Sequence, residues 1–91
     1  MRNTAGSGSV SPPGQLKAFP DAERVRPKTP RSDGQGLRRR WKDDVLERIY
    51  EWDYRHGRVE VYNSRGYHLG EFDPNTGQEL KGPKPGRRVE P

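Results

Sequence analysis

The run Tyr50-Glu51-Trp52-Asp53-Tyr54-Arg55-His56-Gly57-Arg58-Val59-Glu60-Val61-Tyr62 decides the fold. Before its midpoint the chain alternates: Ile49, Glu51 and Asp53 fall on one side, Tyr50, Trp52 and Tyr54 on the other or flanking it. After the midpoint it alternates again, Val59 and Val61 against Glu60 and Tyr62. A period of two is the mark of a half-buried strand. Between the halves, Arg55-His56-Gly57-Arg58 reads as a hairpin turn, with Gly57 free to take positive φ. Helix is the rival for 43–56, because Val45, Leu46, Ile49 and Tyr50 also fit helical spacing. The aromatic and β-branched residues from 49 onward favour strand.

Working outward, residues 38–42 are compatible with a first strand and Lys42-Asp43-Asp44 with a turn. Asn63-Ser64-Arg65-Gly66 turns the chain into a strand over 67–72. Asp73-Pro74-Asn75-Thr76-Gly77 is a strong turn signal, and Glu79-Leu80-Lys81 a short last strand before a Pro/Gly/basic tail. The expected fold is mainly β, α+β at most: a small, highly twisted antiparallel sheet over 37–91, with no repeats. Residues 1–36 hold five Gly, five Pro and four Ser. They are expected to form a flexible linker, with a short helix near 20–26 opened by Pro20-Asp21.

Only 26% of the 91 residues are hydrophobic and 34% are charged, so one small domain is the most the chain can pack. Seven of the eight aromatics lie between 41 and 72, which puts the core there. The net charge of +5 argues for a polyanionic partner. No apolar run approaches the roughly 20 residues of a spanning helix, and membrane insertion is not expected. The N-terminus lacks the apolar stretch of a signal peptide, so export is expected by another route or as part of a larger chain. The absence of cysteine excludes disulfides and Cys-based zinc sites. His56 and His68 lack the i,i+4 spacing of a helical metal pair, so neither metal nor cofactor is expected.

Asp53, His56 and Glu60 lie within eight positions of one another at a bend. RNA carries its own nucleophile, the 2′-OH. Cleaving it takes a base, an acid and a cation for the phosphorane. Glu60 as base, His56 as acid, Asp53 to orient the imidazole and an arginine as clamp would suffice, though spacing alone leaves acid and base interchangeable.

In order along the chain come Arg39-Arg40-Trp41, Ile49-Tyr50-Glu51-Trp52-Asp53, His56-Gly57, Glu60, Tyr62, His68-Leu69-Gly70, Phe72-Asp73-Pro74, Thr76-Gly77 and Leu80-Lys81-Gly82-Pro83. Over about residues 27–88 this series closely resembles the cytotoxic ribonuclease domains of the colicin E3 and cloacin type. The resemblance implies a small twisted antiparallel sheet at the end of a longer bacteriocin. It implies a metal-independent cut in 16S rRNA at the decoding site of the 30S subunit, in the cytoplasm of a target bacterium, and an acidic immunity protein as partner. By matching position it places the essential residues at Asp53, His56, Glu60 and Arg87. Supporting active-site or RNA contacts fall at Tyr50, Tyr62 and Lys81. Arg39, Arg40, Lys84 and Arg88 are further candidates for phosphate contacts. Arg58 stands where that family has an acid, the 63–66 turn is one residue shorter, and Arg88 leaves the choice of arginine open. His68, at a strand start beside Leu69-Gly70, reads as structural. The rival functions are a tRNA-cleaving toxin and a non-catalytic basic RNA- or ribosome-binding module.

Overall fold

The structure, a computed structural model, describes residues 8–91. Six strands form one antiparallel sheet in chain order: β1 (Glu23–Val25), β2 (Arg40–Asp43), β3 (Arg48–Asp53), β4 (Arg58–Asn63), β5 (His68–Phe72) and β6 (Glu79–Lys81). The meander expected from the alternation is present, with one strand more than the sequence suggested. There is no helix among the described residues. Where a short helix was expected near 20–26, Glu23–Val25 pairs with β2 instead. Pro20 and Pro27 bracket too few residues for a stable helix, and the open edge of β2 supplies hydrogen bonds to an extended chain.

Four connections share one device. Asp43, Asp53, Asn63 and Asp73 each end or follow a strand, and each side-chain oxygen accepts two backbone N–H groups of the turn that follows. These are Asx turns: the carboxylate or amide stands in for a backbone acceptor. Gly57 takes φ +68° at the close of its turn, and a Cβ there would come 3.0 Å from Val10 Cγ1. The backbone angle favours glycine, and any larger residue would also have to displace the Val10 side chain.

The two faces of the sheet differ. One packs Trp41, Tyr50, Trp52, Val59 and Val61 against Leu16, Phe19 and Ala22. Phe19 lies 4.9 Å from the Tyr50 ring, and Trp41 meets Trp52 edge-on at 6.4 Å. The indole N–H of Trp52 donates to the Val10 carbonyl at 2.8 Å, and that of Trp41 to the Gly14 carbonyl at 3.2 Å. Residues 10–22, expected as flexible linker, are thus the cover of the core, and a boundary at residue 37 does not separate packed from unpacked chain. They were unreadable because Leu16, Phe19 and Ala22 are spaced by three in a Pro/Gly-rich context with no strand period. Residues 1–7 of that expected linker lie outside the described residues. The other face carries charge. Strand register lines up Arg40, Glu51, Glu60, Glu71 and Lys81 across five strands, three carboxyls between two cations.

Candidate active site

Period two sends Asp53 and Glu60 to this charged face from neighbouring strands. Register then sets Glu60 opposite Glu51 and Glu71, and Asp53 opposite Arg58. Carboxyl oxygens of Asp53, Glu60 and Glu71 come within 4.8 Å of one another.

Asp53 does two things at once. Its Oδ1 accepts the backbone N–H of Arg55 (2.9 Å) and of His56 (3.2 Å), which builds the turn. Its Oδ2 lies 2.8 Å from His56 Nδ1. Burial pushes the Asp53 carboxyl up, but the hydrogen bonds from His56 and from the two backbone amides outweigh it, and it rests below the usual carboxylate range. An ionised Asp53 can only accept, so Nδ1 carries the proton and Nε2 of the exposed imidazole is left for chemistry.

Glu60 is perturbed the other way. Burial raises its carboxyl above the ordinary value and the neighbouring Glu71 adds to the rise, while His68 and Arg87 hold it back. Glu71 ends up lowered: burial opposes ionisation, but the hydrogen bonds from Arg58 (2.7 Å) and Glu60, with the charge of Lys81, overcome it. The environments of the two carboxyls therefore push them in opposite directions, Glu60 up and Glu71 down. A carboxyl raised toward neutrality is the kind a general base needs.

His68 holds Glu60 from the other side. The Lys84 backbone N–H donates to His68 Nδ1 at 2.9 Å, which leaves that nitrogen without a proton. Nε2–H then donates to Glu60 Oε1 at 2.7 Å. The buried ring therefore fixes the orientation of Glu60 through a single tautomer. Its part in the site, rather than a purely structural one, was not legible. A bulge between Val61 and Tyr62 shifts the β4–β5 register and brings His68, instead of Leu69, opposite Tyr62.

Arg87 reaches the same spot from the C-terminal tail. Its Nη1 lies 3.9 Å from Glu60 Oε1, and its Nε donates to the Tyr62 hydroxyl at 3.2 Å. Tyr62 is buried and serves here as a strut. Of the two adjacent arginines, Arg88 turns away and lies over the Tyr67 ring at 4.6 Å. The charged face thus gathers Asp53, His56, Glu60, Tyr62 and Arg87, and adds His68, Arg58 and Glu71. Period two alone would have placed Arg58 beside Glu60; only the register brings in Glu71.

Other expected residues lie apart. Tyr50 is fully buried on the opposite face, its hydroxyl 3.5 Å from Asp43, and belongs to the core. Arg40 is 3% exposed, and its guanidinium is taken up by Glu51 at 2.7 and 3.0 Å and by Thr29, so it presents nothing to a phosphate. Arg39 is half-buried and bonds the Pro13 carbonyl. Lys81 and Lys84 are exposed at the rim. A divalent cation could be ligated by Asp53, Glu60 and Glu71 only in exchange for His56, His68, Arg87 and Arg58, which already balance those carboxyls.

The family model described as Cytotoxic matches residues 10–90. Colicin E3 of Escherichia coli is 49% identical over 75 residues, 81% of this chain and 14% of that protein. Cloacin and colicin-E6, both of Escherichia coli, are each 47% identical over 75 residues, again 81% of this chain, and 13% and 14% of their own lengths. The chain spans about one-seventh of the length of these curated relatives. The match begins at residue 10, where the cover of the core begins, and takes in both halves of the charged site. The chain belongs to the Cytotoxic family, as a cytotoxic domain of the colicin E3 type.

Proposed function

We propose that this chain is the ribonuclease domain of a bacterial toxin, and that it stops translation by cutting 16S rRNA at the decoding site of the ribosome. The observation that carries the reading is the convergence of a raised Glu60 carboxyl, an imidazole held by an ionised Asp53, and Arg87 on one sheet face. In this reading Glu60 takes the 2′-OH proton. The 2′ oxygen attacks phosphorus, and Arg87 offsets the charge that grows on the phosphorane. His56, doubly protonated with Nδ1–H on Asp53, gives its Nε2 proton to the departing 5′ oxygen. The product ends are a 2′,3′-cyclic phosphate and a 5′-hydroxyl, and no metal enters the cycle. The net charge of +5 suits a ribosomal RNA target and, in the producer, an acidic immunity protein. The domain would act in the cytoplasm of the target cell after delivery as part of a larger secreted toxin.

Primer extension along 16S rRNA tests this, after 70S ribosomes are incubated with the protein in EDTA beside Glu60→Gln. The expected result is a single new stop in the decoding region that the variant does not produce. A stop that needs added metal, or a 5′-phosphate at the cut, would overturn the mechanism. Intact 16S rRNA would overturn the substrate, and free tRNA would be tried next.

A further inference from the structure

Beside the acid–base site lies a cleft of about 510 Å³. Gly8 and Ser9 form one wall, the 31–38 loop the second, and Asp53, Tyr54 and Arg55 at the end of β3 the third. Its volume falls within the roughly 300–1,000 Å³ of small-ligand sites. Asp53 belongs both to this cleft and to the catalytic face, so whatever fills the cleft lies next to the reacting phosphate.

The lining is suited to a nucleotide. The Arg31 guanidinium carbon lies over the Tyr54 ring, 3.8 Å from its centroid. Both are pinned: Asp33 accepts from Arg31 at 2.5 Å, and the Tyr54 hydroxyl accepts the Arg39 backbone N–H at 3.3 Å. A fixed aromatic–guanidinium pair is a surface on which bases stack regardless of sequence. Asp33 is committed to Arg31 and Asp53 to His56. Arg38 and Arg55 have no carboxylate partner among the described residues and remain for phosphate oxygens. We infer that this cleft binds the nucleotide next to the cleaved phosphodiester of single-stranded RNA, its base against Arg31–Tyr54 and its phosphate against Arg55 and Arg38. The inference rests on the ribonuclease reading for the identity of the cleaved bond, but the binding can be read without cleavage.

The test is fluorescence anisotropy of a labelled single-stranded RNA dodecamer titrated with the Glu60→Gln chain, which keeps the RNA whole. In that background, Arg31→Ala and Arg55→Ala are each expected to weaken binding about tenfold. Arg55→Ala should also lower the slope of log affinity against log salt by about 0.7, one phosphate's worth. Arg65→Ala, an exposed arginine in the β4–β5 turn, removes the same charge away from the cleft and should change affinity less than twofold. Equal losses for Arg65→Ala and Arg55→Ala would mean charge alone binds RNA and would overturn the subsite. Undiminished affinity in Arg31→Ala would overturn the stacking platform. If the unsubstituted chain leaves ribosomes intact while the cleft variants lose RNA binding as expected, the proposed cleavage fails and the subsite stands.

Discussion

Val59 and Val61 point to one side of β4 and are fully buried; Glu60, between them, points to the other and is 3% exposed. The same contrast runs through β2 and β3: Trp41 and Tyr50 are at 0%, Arg40 and Glu51 at 3% and 0%. At these positions the two faces are equally dry and chemically opposite. Burial of each large apolar side chain stabilises by about 1.5–3 kcal/mol. Burial of a charge costs several kcal/mol that an ion pair returns only when geometry is excellent. A protein this small does not gain stability from three glutamates in a row. The apolar face holds the sheet together and holds the charged face in place.

The sharpest way to break that division is to exchange the expected phenotypes. Glu60→Gln and His56→Ala are expected to slow single-turnover cleavage by about 10²–10⁴ while urea midpoints barely move. Trp41→Ala should do the reverse at the level of cause. It is expected to cost about 3–5 kcal/mol of stability, with activity lost only in proportion to the unfolded fraction. Chemical denaturation followed by tryptophan fluorescence, run beside the rate assay, reads both. If Glu60→Gln unfolds the chain as far as Trp41→Ala does, the charged face is structural and the distinction fails.

Within the charged face, Arg40 and Glu51 sharpen the comparison, because they are as buried as Glu60 but pair with each other away from the site. Arg40→Ala leaves Glu51 uncompensated and is expected to destabilise by about 3–5 kcal/mol. The double change Arg40→Met with Glu51→Leu removes both charges at similar volume and should be neutral or stabilising by about 1–4 kcal/mol. Cleavage by the double variant should persist. Its loss would mean that Glu51, the direct strand partner of Glu60, contributes charge to the site rather than structure alone.

The faces were readable from alternation in the sequence. The same alternation and a turn glycine set Asp53, His56 and Glu60 close together, but such spacing is common in polar hairpins, and it was the resemblance to the colicin E3 type that singled them out. The rest depends on geometry that local pattern does not carry. His68 arrives through a bulge. Glu71 arrives through register on a third strand, and its partner Arg58 becomes meaningful only once Glu71 is placed. Arg40, grouped by sequence with its basic neighbours as a phosphate contact, is drawn inward by Glu51 eleven residues away. Residues 10–22 carry no period because they cross the sheet instead of joining it, and their backbone carbonyls accept from two indoles to which no local pattern ties them.

The smallest effect discriminates most finely, because it separates two carboxyls on one face. Asp53 is lowered in the folded chain and Glu60 raised, although their oxygens lie within 4.8 Å. A lowered acid stabilises the fold above its unfolded value, and that contribution is lost as pH falls through the folded value. A raised acid behaves oppositely. Its contribution is complete below the unfolded value and is lost as pH rises through the folded one, after which the buried charge weighs against folding. Asp53→Asn is therefore expected to be less stable than the parent at neutral pH, with the gap closing in acid. Glu60→Gln keeps an oxygen for the His68 N–H and sheds the charge, so its stability relative to the parent should rise as pH climbs from about 4, the ordinary carboxylate value, toward about 8. Urea midpoints for the three proteins from about pH 2 to about pH 8 give two difference curves of opposite slope, that of Asp53→Asn lying at the acid end, below the ordinary carboxylate value of about 4. Parallel curves would mean that Glu60 titrates like its neighbour. It would then be an ordinary carboxylate with little basicity, and the assignment of Glu60 as the group that takes the 2′ proton would lose its physical footing.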